Sequence, residues 1–248
     1  MSLITPRMRM FAGPNASGKS TLKSVLPHEL LGIYLNPDEI ESKIQQTGFL
    51  ELSAFGVTTT EDEILPWFRK SSLLQSDGLP DAANRLHFSE GKLYFKDVGV
   101  DSYFASVATD FMRYKLLDRK ESFTFETVMS HASKVELLEK AQKLGYRTYL
   151  YYIATEDPEI NISRVRNRVK LGGHDVPENR IVARYYRSLD LLMEAIKHTN
   201  RAYLFDNSGE SKDKTWLAEI TNGKTLEMKT DQAPAWFKHY LLDKIGRV

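Results

Sequence analysis

Cysteine is absent from the 248 residues. Disulfide staples and thiolate metal sites are therefore excluded. A surplus of one charge is also missing: 34 Lys and Arg stand against 33 Asp and Glu, a formal net charge of +1. Duplex nucleic acid is usually bound by a strong basic excess, so the balance argues against such a partner without excluding a locally basic cleft. No apolar run approaches the roughly 18 residues of a membrane span, and residues 1–7 carry no apolar signal-peptide core. Internal repeats and low-complexity stretches are lacking too. The expectation is a soluble, cytoplasmic protein with no membrane partner. With 42% hydrophobic residues, it can bury one substantial core, or a core plus an appendage.

What is present is an alternation of short apolar strands with amphipathic helices. Strands are predicted near residues 9–12, 33–35, 123–125, 148–153 and 202–205. Helices are predicted from about 18 to Pro27, then from Pro37, and over 103–117, 134–143, 158–170 and 177–197. Such alternation predicts an α/β fold, a mostly parallel sheet with helices on both faces. The rhythm breaks over about 48–101, which reads as an insertion. Within it, Leu86-His87-Phe88 and Leu93-Tyr94-Phe95 flank Ser89-Glu90-Gly91 and predict a hairpin. A second hairpin is predicted around Asn222-Gly223, followed by a closing helix with Trp236, Tyr240 and Leu241. The expected division is a core domain over 1–208 and a hairpin-and-helix extension over 209–248.

The most specific signal is Gly13-Pro14-Asn15-Ala16-Ser17-Gly18-Lys19-Ser20. It fits G-x-x-x-x-G-K-[ST] at every fixed position, after a strand and before a helix. Glycines let the backbone approach phosphates closely. Successive amide N–H groups and a helix N-terminus then cradle the anion. Lys19 is expected at the β- and γ-phosphates and the Ser20 hydroxyl on Mg²⁺. Residues 13–21, with Thr21 closing the run, are the candidate nucleotide site for ATP or GTP. The motif establishes phosphate binding better than it establishes a reaction.

Two acids stand where strands of a doubly wound sheet present their carboxyl ends. Asp38 follows the second strand and could take the proton of an attacking hydroxyl. It could equally decorate a helix N-terminus, where acids favour the dipole and Asn36 and Pro37 supply cap and first turn. Glu126 ends the strand through Phe123 and Phe125. It could order Mg²⁺ waters or bind substrate, with Thr127 beside it as a donor, or be a buried acid satisfied by backbone.

Arg164 and Arg168 share one helix face, and Arg180, Arg184 and Arg187 share another across Gly172-Gly173. Asp175 with Glu178 resembles a capping box for the second helix. Charged stripes are usually solvated faces. Two of them after a phosphate loop could instead neutralise a transferring phosphoryl group. His174, in the turn between them, could donate to a phosphate or serve the turn alone.

Taken together, these residues resemble the zeta-toxin family of P-loop kinases, in particular its broad branch described as predicted ATPases or UDP-N-acetylglucosamine kinases. The resemblance rests on residues 13–21, Leu35-Asn36-Pro37-Asp38-Glu39-Ile40, the F-T-F-E-T run from Phe123 to Thr127, the two arginine helices with Gly172-Gly173-His174 between them, and Asp206-Asn207-Ser208. It implies a kinase-like fold and transfer of phosphate from ATP or GTP, with Mg²⁺, to a small molecule. In characterised zeta toxins the acceptor is the 3′-hydroxyl of the amino sugar of UDP-N-acetylglucosamine. By motif match, Lys19 and Ser20 take the triphosphate and Mg²⁺ roles, Asp38 is the catalytic base, and Glu126 is the family's acid after the middle strand. Zeta toxins commonly carry a phosphate-binding arginine where this chain has His174, which shifts the arginine roles to Arg168 or Arg184. The insertion falls where the sugar nucleotide would be gripped. A separate antitoxin protein is a partner that the resemblance leaves open. Competing readings are a nucleotide-hydrolysing switch with water as sole acceptor, and a polynucleotide 5′-hydroxyl kinase.

Overall fold

The computed structural model describes residues 5–76, 79–96, 98–99, 102–173, 175–209 and 214–245. The chain forms two compact units, one of residues 1–31 and 124–248 and one of residues 32–123.

The first unit opens with strand β1, Arg7–Ala12, whose last five residues are buried. The loop and a 3-10 helix at Lys19–Val25 follow. The sequence predicts an ordinary helix there. Instead the turn tightens to 3-10 geometry, with Leu22 buried and Leu26 half-buried; the side chain of Val25 lies outside the described residues.

The second unit runs from β2 (Ile33–Leu35) through α1 (Pro37–Thr47), β3 (Phe49–Glu51), α2 (Glu61–Arg69), α3 (Ser72–Ser76), α4 (Pro80–Asn84), β4 (His87–Ser89) and β5 (Lys92–Tyr94) to α5 (Ser102–Asp118). Asn36 caps α1 as its residue type predicts: Oδ1 accepts from Asp38 N at 2.9 Å and Glu39 N at 3.4 Å, with Pro37 in the first turn. The predicted hairpin forms as β4 and β5. Glu90 and Gly91 both take positive φ, +50° and +74°, as a two-residue type I′ turn requires. A third strand, β3, pairs antiparallel with β5 and completes a small sheet of order β3-β5-β4. One face is apolar and buried (Leu50, Leu93, Phe88). The unit's core also holds Phe68, Phe95 and Phe104, with ring centroids 6.0–6.4 Å apart.

The first unit resumes with β6 (Phe123–Thr127), α6 (Ser133–Lys143), β7 (Arg147–Ala154), α7 (Pro158–Lys170), α8 (Glu178–Asp190), α9 (Leu192–Lys197), β8 (Arg201–Asp206), β9 (Thr215–Thr221) and β10 (Thr225–Met228). Six of its strands lie in the order β10-β9-β8-β7-β1-β6. β1, β7 and β8 run parallel, while β9 and β10 add on antiparallel. The predicted long helix over 177–197 is two, broken at Leu191. The Asn222-Gly223 turn forms with φ of +52° and +64°, so the second hairpin extends the main sheet. Short helical segments at Ala235–Phe237, Lys238–Leu242 and Asp243–Ile245 close the chain and bury Trp236, Phe237 and Leu241. β1 lies between β6 and β7, neither its sequence neighbour. The loop leaving β1 therefore opens at a switch point of the sheet, where open α/β sheets bind ligands.

Candidate active site

The loop after β1 is built from positive-φ residues and close approaches. Gly13, Ala16 and Gly18 have φ of +144°, +53° and +102°. A Cβ at Gly13 would stand 2.0 Å from the Ile153 carbonyl oxygen of β7, so only glycine fits. A Cβ at Gly18 would meet Asn207 Nδ2 at 2.5 Å. Lys19 Nζ donates to Gly13 O at 2.9 Å and Pro14 O at 2.7 Å, which draws the ammonium over the loop. The Thr21 hydroxyl donates to Gly18 O at 2.7 Å.

Hydrogen bonds fasten this loop to distant parts of its unit, among them two from Lys214 Nζ to Thr21, to its carbonyl at 3.2 Å and its hydroxyl at 3.1 Å. Ser20 Oγ donates to Glu126 Oε2 at 3.2 Å. Asn161 Nδ2, on α7, donates to Asn15 O at 2.6 Å, while Asn161 Oδ1 accepts from Thr155 Oγ1 at 2.6 Å. Asn207 Nδ2, just beyond β8, donates to Ser17 O at 2.8 Å. Asn161 and Thr155 are fully buried, and Glu126 is 6% exposed. Ala16 packs against the apolar core of the α7–α8 hairpin, Ile162, Val165, Val176 and Ile181. The buried Asn15 Oδ1, Ser17 Oγ and Arg164 Nη1 carry no hydrogen-bond partner among the described residues. Buried polar atoms are normally paired, so the loop presents polar atoms suited to a ligand.

The ends of β7 and β8 are held rigidly. Ser208 Oγ accepts from Glu156 N at 2.8 Å and donates to Asp206 Oδ1 at 2.8 Å. Trp236 Nε1 also donates to Asp206 Oδ1, at 2.8 Å. The Tyr185 hydroxyl donates to Thr155 O at 2.7 Å, which anchors α8 to the same edge. Burial pushes the Tyr185 phenol well above its ordinary pKa.

The arginine stripes separate by exposure. Arg164, Arg168 and Arg184 are half-buried, while Arg166, Arg180 and Arg187 are exposed. Arg164 Nη2 donates to Gly209 O at 3.1 Å, and the Arg168 side chain packs against Gly173. Arg166 ties α7 to α8 through Glu178, Nη2 to Oε1 at 2.6 Å. The capping-box expectation is corrected by where the helix starts. It begins at Glu178 with Pro177 as its cap residue and no side-chain cap bond, so Asp175 lies two residues before the cap and Glu178 at the first helical position, not the third. His174 lies outside the described residues.

The sequence-predicted residues thus fall in two groups. Residues 13–21, Glu126, Thr127, Arg168 and Arg184 belong to the first unit. Glu126 lies within β6 and meets Ser20, while the Thr127 hydroxyl accepts from Met129 N at 3.1 Å, where Met129 takes φ of +55°. Asp38 belongs to the second unit and is exposed on the first turn of α1. Asn161, and Asn207 as a fastening of the loop, are not found by sequence reasoning. A lone asparagine on an amphipathic helix carries no signature, and only its burial gives it away.

Residues 98–213 match the family model described as Zeta toxin. The likeness to that family covers 116 of the 248 residues, a little under half of the chain. The matched segment begins beyond the phosphate loop, yet Glu126, Asn161 and Asn207, which all grip that loop, lie inside it. Solved structures share the fold. The AvrRxo1-ORF1:AvrRxo1-ORF2 complex with sulphate ions superposes with a TM-score of 0.55 at 15% identity, covering 97% of this chain and 63% of the matched chain. The corresponding complex with ATP gives 0.52 at 15% identity, with the same coverage. The PezAT chromosomal toxin-antitoxin system of Streptococcus pneumoniae gives 0.51 at 13% identity, covering 98% and 80%. An uncharacterized protein of Haemophilus influenzae is 35% identical over 63 residues, 25% of this chain and 45% of that protein. The chain thus spans less than two thirds of the matched AvrRxo1 chains and under half of the Haemophilus protein.

Proposed function

We propose that the protein transfers the terminal phosphoryl group of ATP or GTP to a hydroxyl of a small molecule, with a UDP-amino sugar as the first acceptor to test. The observation that carries this reading is the Ser20–Glu126 pair beside Lys19. It joins a hydroxyl and a buried carboxylate at the mouth of a phosphate cradle. These are hard oxygen donors, and they fit Mg²⁺, which is usually held by one or two carboxylates together with substrate phosphates. Once bound there, the ion would neutralise charge on the triphosphate. Loop amides and Lys19 bind the β- and γ-phosphates. Arg168 and Arg184, on the hairpin that packs against Ala16, offset charge on the moving phosphoryl group.

In the proposed step Asp38 accepts the acceptor's hydroxyl proton. The acceptor oxygen bonds to the γ-phosphorus as the bond from that phosphorus to the β,γ-bridging oxygen breaks. ADP or GDP leaves. The likeness to PezAT supports a separate antitoxin protein as a partner. Among the described residues no helix is long and apolar enough to cross a membrane.

The test pairs two variants with the unaltered protein and labelled ATP, following label on UDP-N-acetylglucosamine and release of free phosphate. Lys19→Ala should lose both. Asp38→Asn should lose transfer while retaining nucleotide binding and slow hydrolysis, because the amide keeps shape but cannot take the proton. Transfer that survives in Asp38→Asn removes Asp38 from the mechanism. Phosphate release with no acceptor ever labelled favours the bare hydrolase.

A further inference from the structure

The small sheet of the second unit has a second face that the phosphotransferase reading does not use. Its apolar face is core. The opposite face carries one ring from each strand in a single row: Phe49 on β3, Tyr94 on β5 and His87 on β4, in direct register. Ring centroids are 5.8 Å apart for Phe49 and Tyr94 and 6.0 Å for Tyr94 and His87. Lys92 Nζ sits 4.9 Å from the Phe49 centroid and covers that end of the row. At the other end a cleft of about 680 Å³ is lined by Arg85, His87, Ser89, Glu90, Tyr94 and Lys96. Arg85 precedes β4 and Lys96 follows β5, so both cations stand at the open end of the hairpin beside the His87–Tyr94 pair, and both are exposed. Glu90 stands at the opposite, turn end.

Rings on a solvent face, one per strand, with cations at one margin, combine the two elements of single-strand recognition. Bases stack on rings whatever their identity, and cations track the backbone. Cross-strand aromatic pairs also stabilise a sheet, but that role needs neither Arg85 nor Lys96. The cleft's openness selects among ligands. A small molecule is held by enclosure that buries roughly 70–90% of its surface. Here every lining residue is exposed or half-exposed, which suits a chain laid across the face with several weak contacts.

We propose that this face docks single-stranded nucleic acid, with bases against Tyr94 and His87 and phosphates against Arg85 and Lys96. The proposal goes beyond the phosphotransferase reading and does not rest on it. The whole-chain charge of +1 is compatible, since only the local cluster meets the strand.

The test is fluorescence anisotropy of a short labelled oligothymidylate with the full chain at two salt concentrations. Saturable, salt-sensitive binding is expected. Tyr94→Ala should weaken it about tenfold or more, since stacking on one ring commonly contributes that much. Tyr94→Phe should bind as the unaltered protein does. Arg85→Ala with Lys96→Ala should weaken binding and flatten its salt dependence. Lys19→Ala should not alter it, and Tyr94→Ala should keep the circular dichroism spectrum and cooperative thermal melt of the unaltered protein, which shows that the variant is folded. Absence of binding overturns the proposal. So do unaltered affinity in the Tyr94 and Arg85/Lys96 variants, and loss of binding in Lys19→Ala, which would place the strand on the phosphate loop. Thymidine monophosphate or a UDP-sugar competing as strongly, nucleotide for nucleotide, would make the cleft a small-molecule subsite and overturn it equally.

Discussion

Replacing Asn161 by leucine tests whether the phosphate loop is shaped by its surroundings or by its own sequence. Asn161 is fully buried and spans two partners, Asn15 O at 2.6 Å and Thr155 Oγ1 at 2.6 Å. Leucine has similar bulk and no polar atoms, so it leaves both groups without that partner. A buried polar group left unpaired costs about 1–3 kcal/mol. The Thr155 hydroxyl already lies 3.4 Å from Asp157 O and can turn wholly to it. The burden therefore falls on the Asn15 carbonyl, which is only partly buried, and a loss of about 1–2 kcal/mol follows. For a chain of this length that lowers the melting temperature by roughly 2–8 °C. Affinity for Mg·ATP should fall as well, by up to about tenfold, since a loop no longer held in shape must be ordered by the ligand. Thermal melts with and without nucleotide read both quantities. Thr155→Val, which removes the hydroxyl and leaves the Asn161–Asn15 bond, should lower stability but leave nucleotide affinity unchanged. If Asn161→Leu melts and binds as the unaltered protein does, the loop holds its own shape and the reasoning fails.

Arg168→Ala and Arg184→Ala should each lower kcat far more than nucleotide affinity, by about 10³-fold if the group acts as an arginine finger does; steady-state kinetics with unchanged kcat in both would return the stripe to solvent. Trp236→Phe keeps the buried ring but deletes the donor to Asp206. It should lower the melting temperature by roughly 2–6 °C, from a charge-assisted bond of about 1.5 kcal/mol or less at this half-buried carboxylate. It should also raise the KM for nucleotide with kcat kept, because Asn207 follows Asp206 directly; an unaltered KM would limit Trp236 to packing. Burial raises the phenol pKa of Tyr151, Tyr152 and Tyr185 above the ordinary 10.0. Their folded pKa values exceed the unfolded ones, so this contribution is whole below pH 10.0 and is lost as pH rises above it. Denaturant titrations should show stability falling on the alkaline side, and a flat profile from pH 9 to about pH 11 would contradict the burial argument.

The phosphate loop, the Asn36 cap and both hairpins were legible because each is a local rule: fixed spacing, a cap residue before a proline, or a turn that demands positive φ. β3 was not, since the three residues Phe49-Leu50-Glu51 are too few to display alternation and gain their strand character only by pairing with β5. The break at Leu191 was also hidden, because apolar periodicity continues across it through Leu189, Leu192 and Ile196. The capping box failed for a different reason: the right residue types were present, but Pro177 caps the helix, which puts Glu178 at its first position and leaves Asp175 outside it. In the candidate site, the residues of the loop motif were readable and those that hold the loop in place were not. Asn161 and Asn207 act on backbone carbonyls 146 and 190 residues away, a distance at which no sequence pattern operates.

That separation also has a consequence in time. The loop is synthesised well before Asn207, whose contact with it spans 190 positions. At about 5–20 residues per second, roughly 10–40 s of translation separate the two. During that interval the nascent chain carries a complete phosphate-loop motif without the residue that fastens it at Ser17. A chain cut short anywhere before Asn207 would lack that fastening permanently. An unfinished chain therefore presents the motif without one of the hydrogen bonds that fasten its loop in the folded protein.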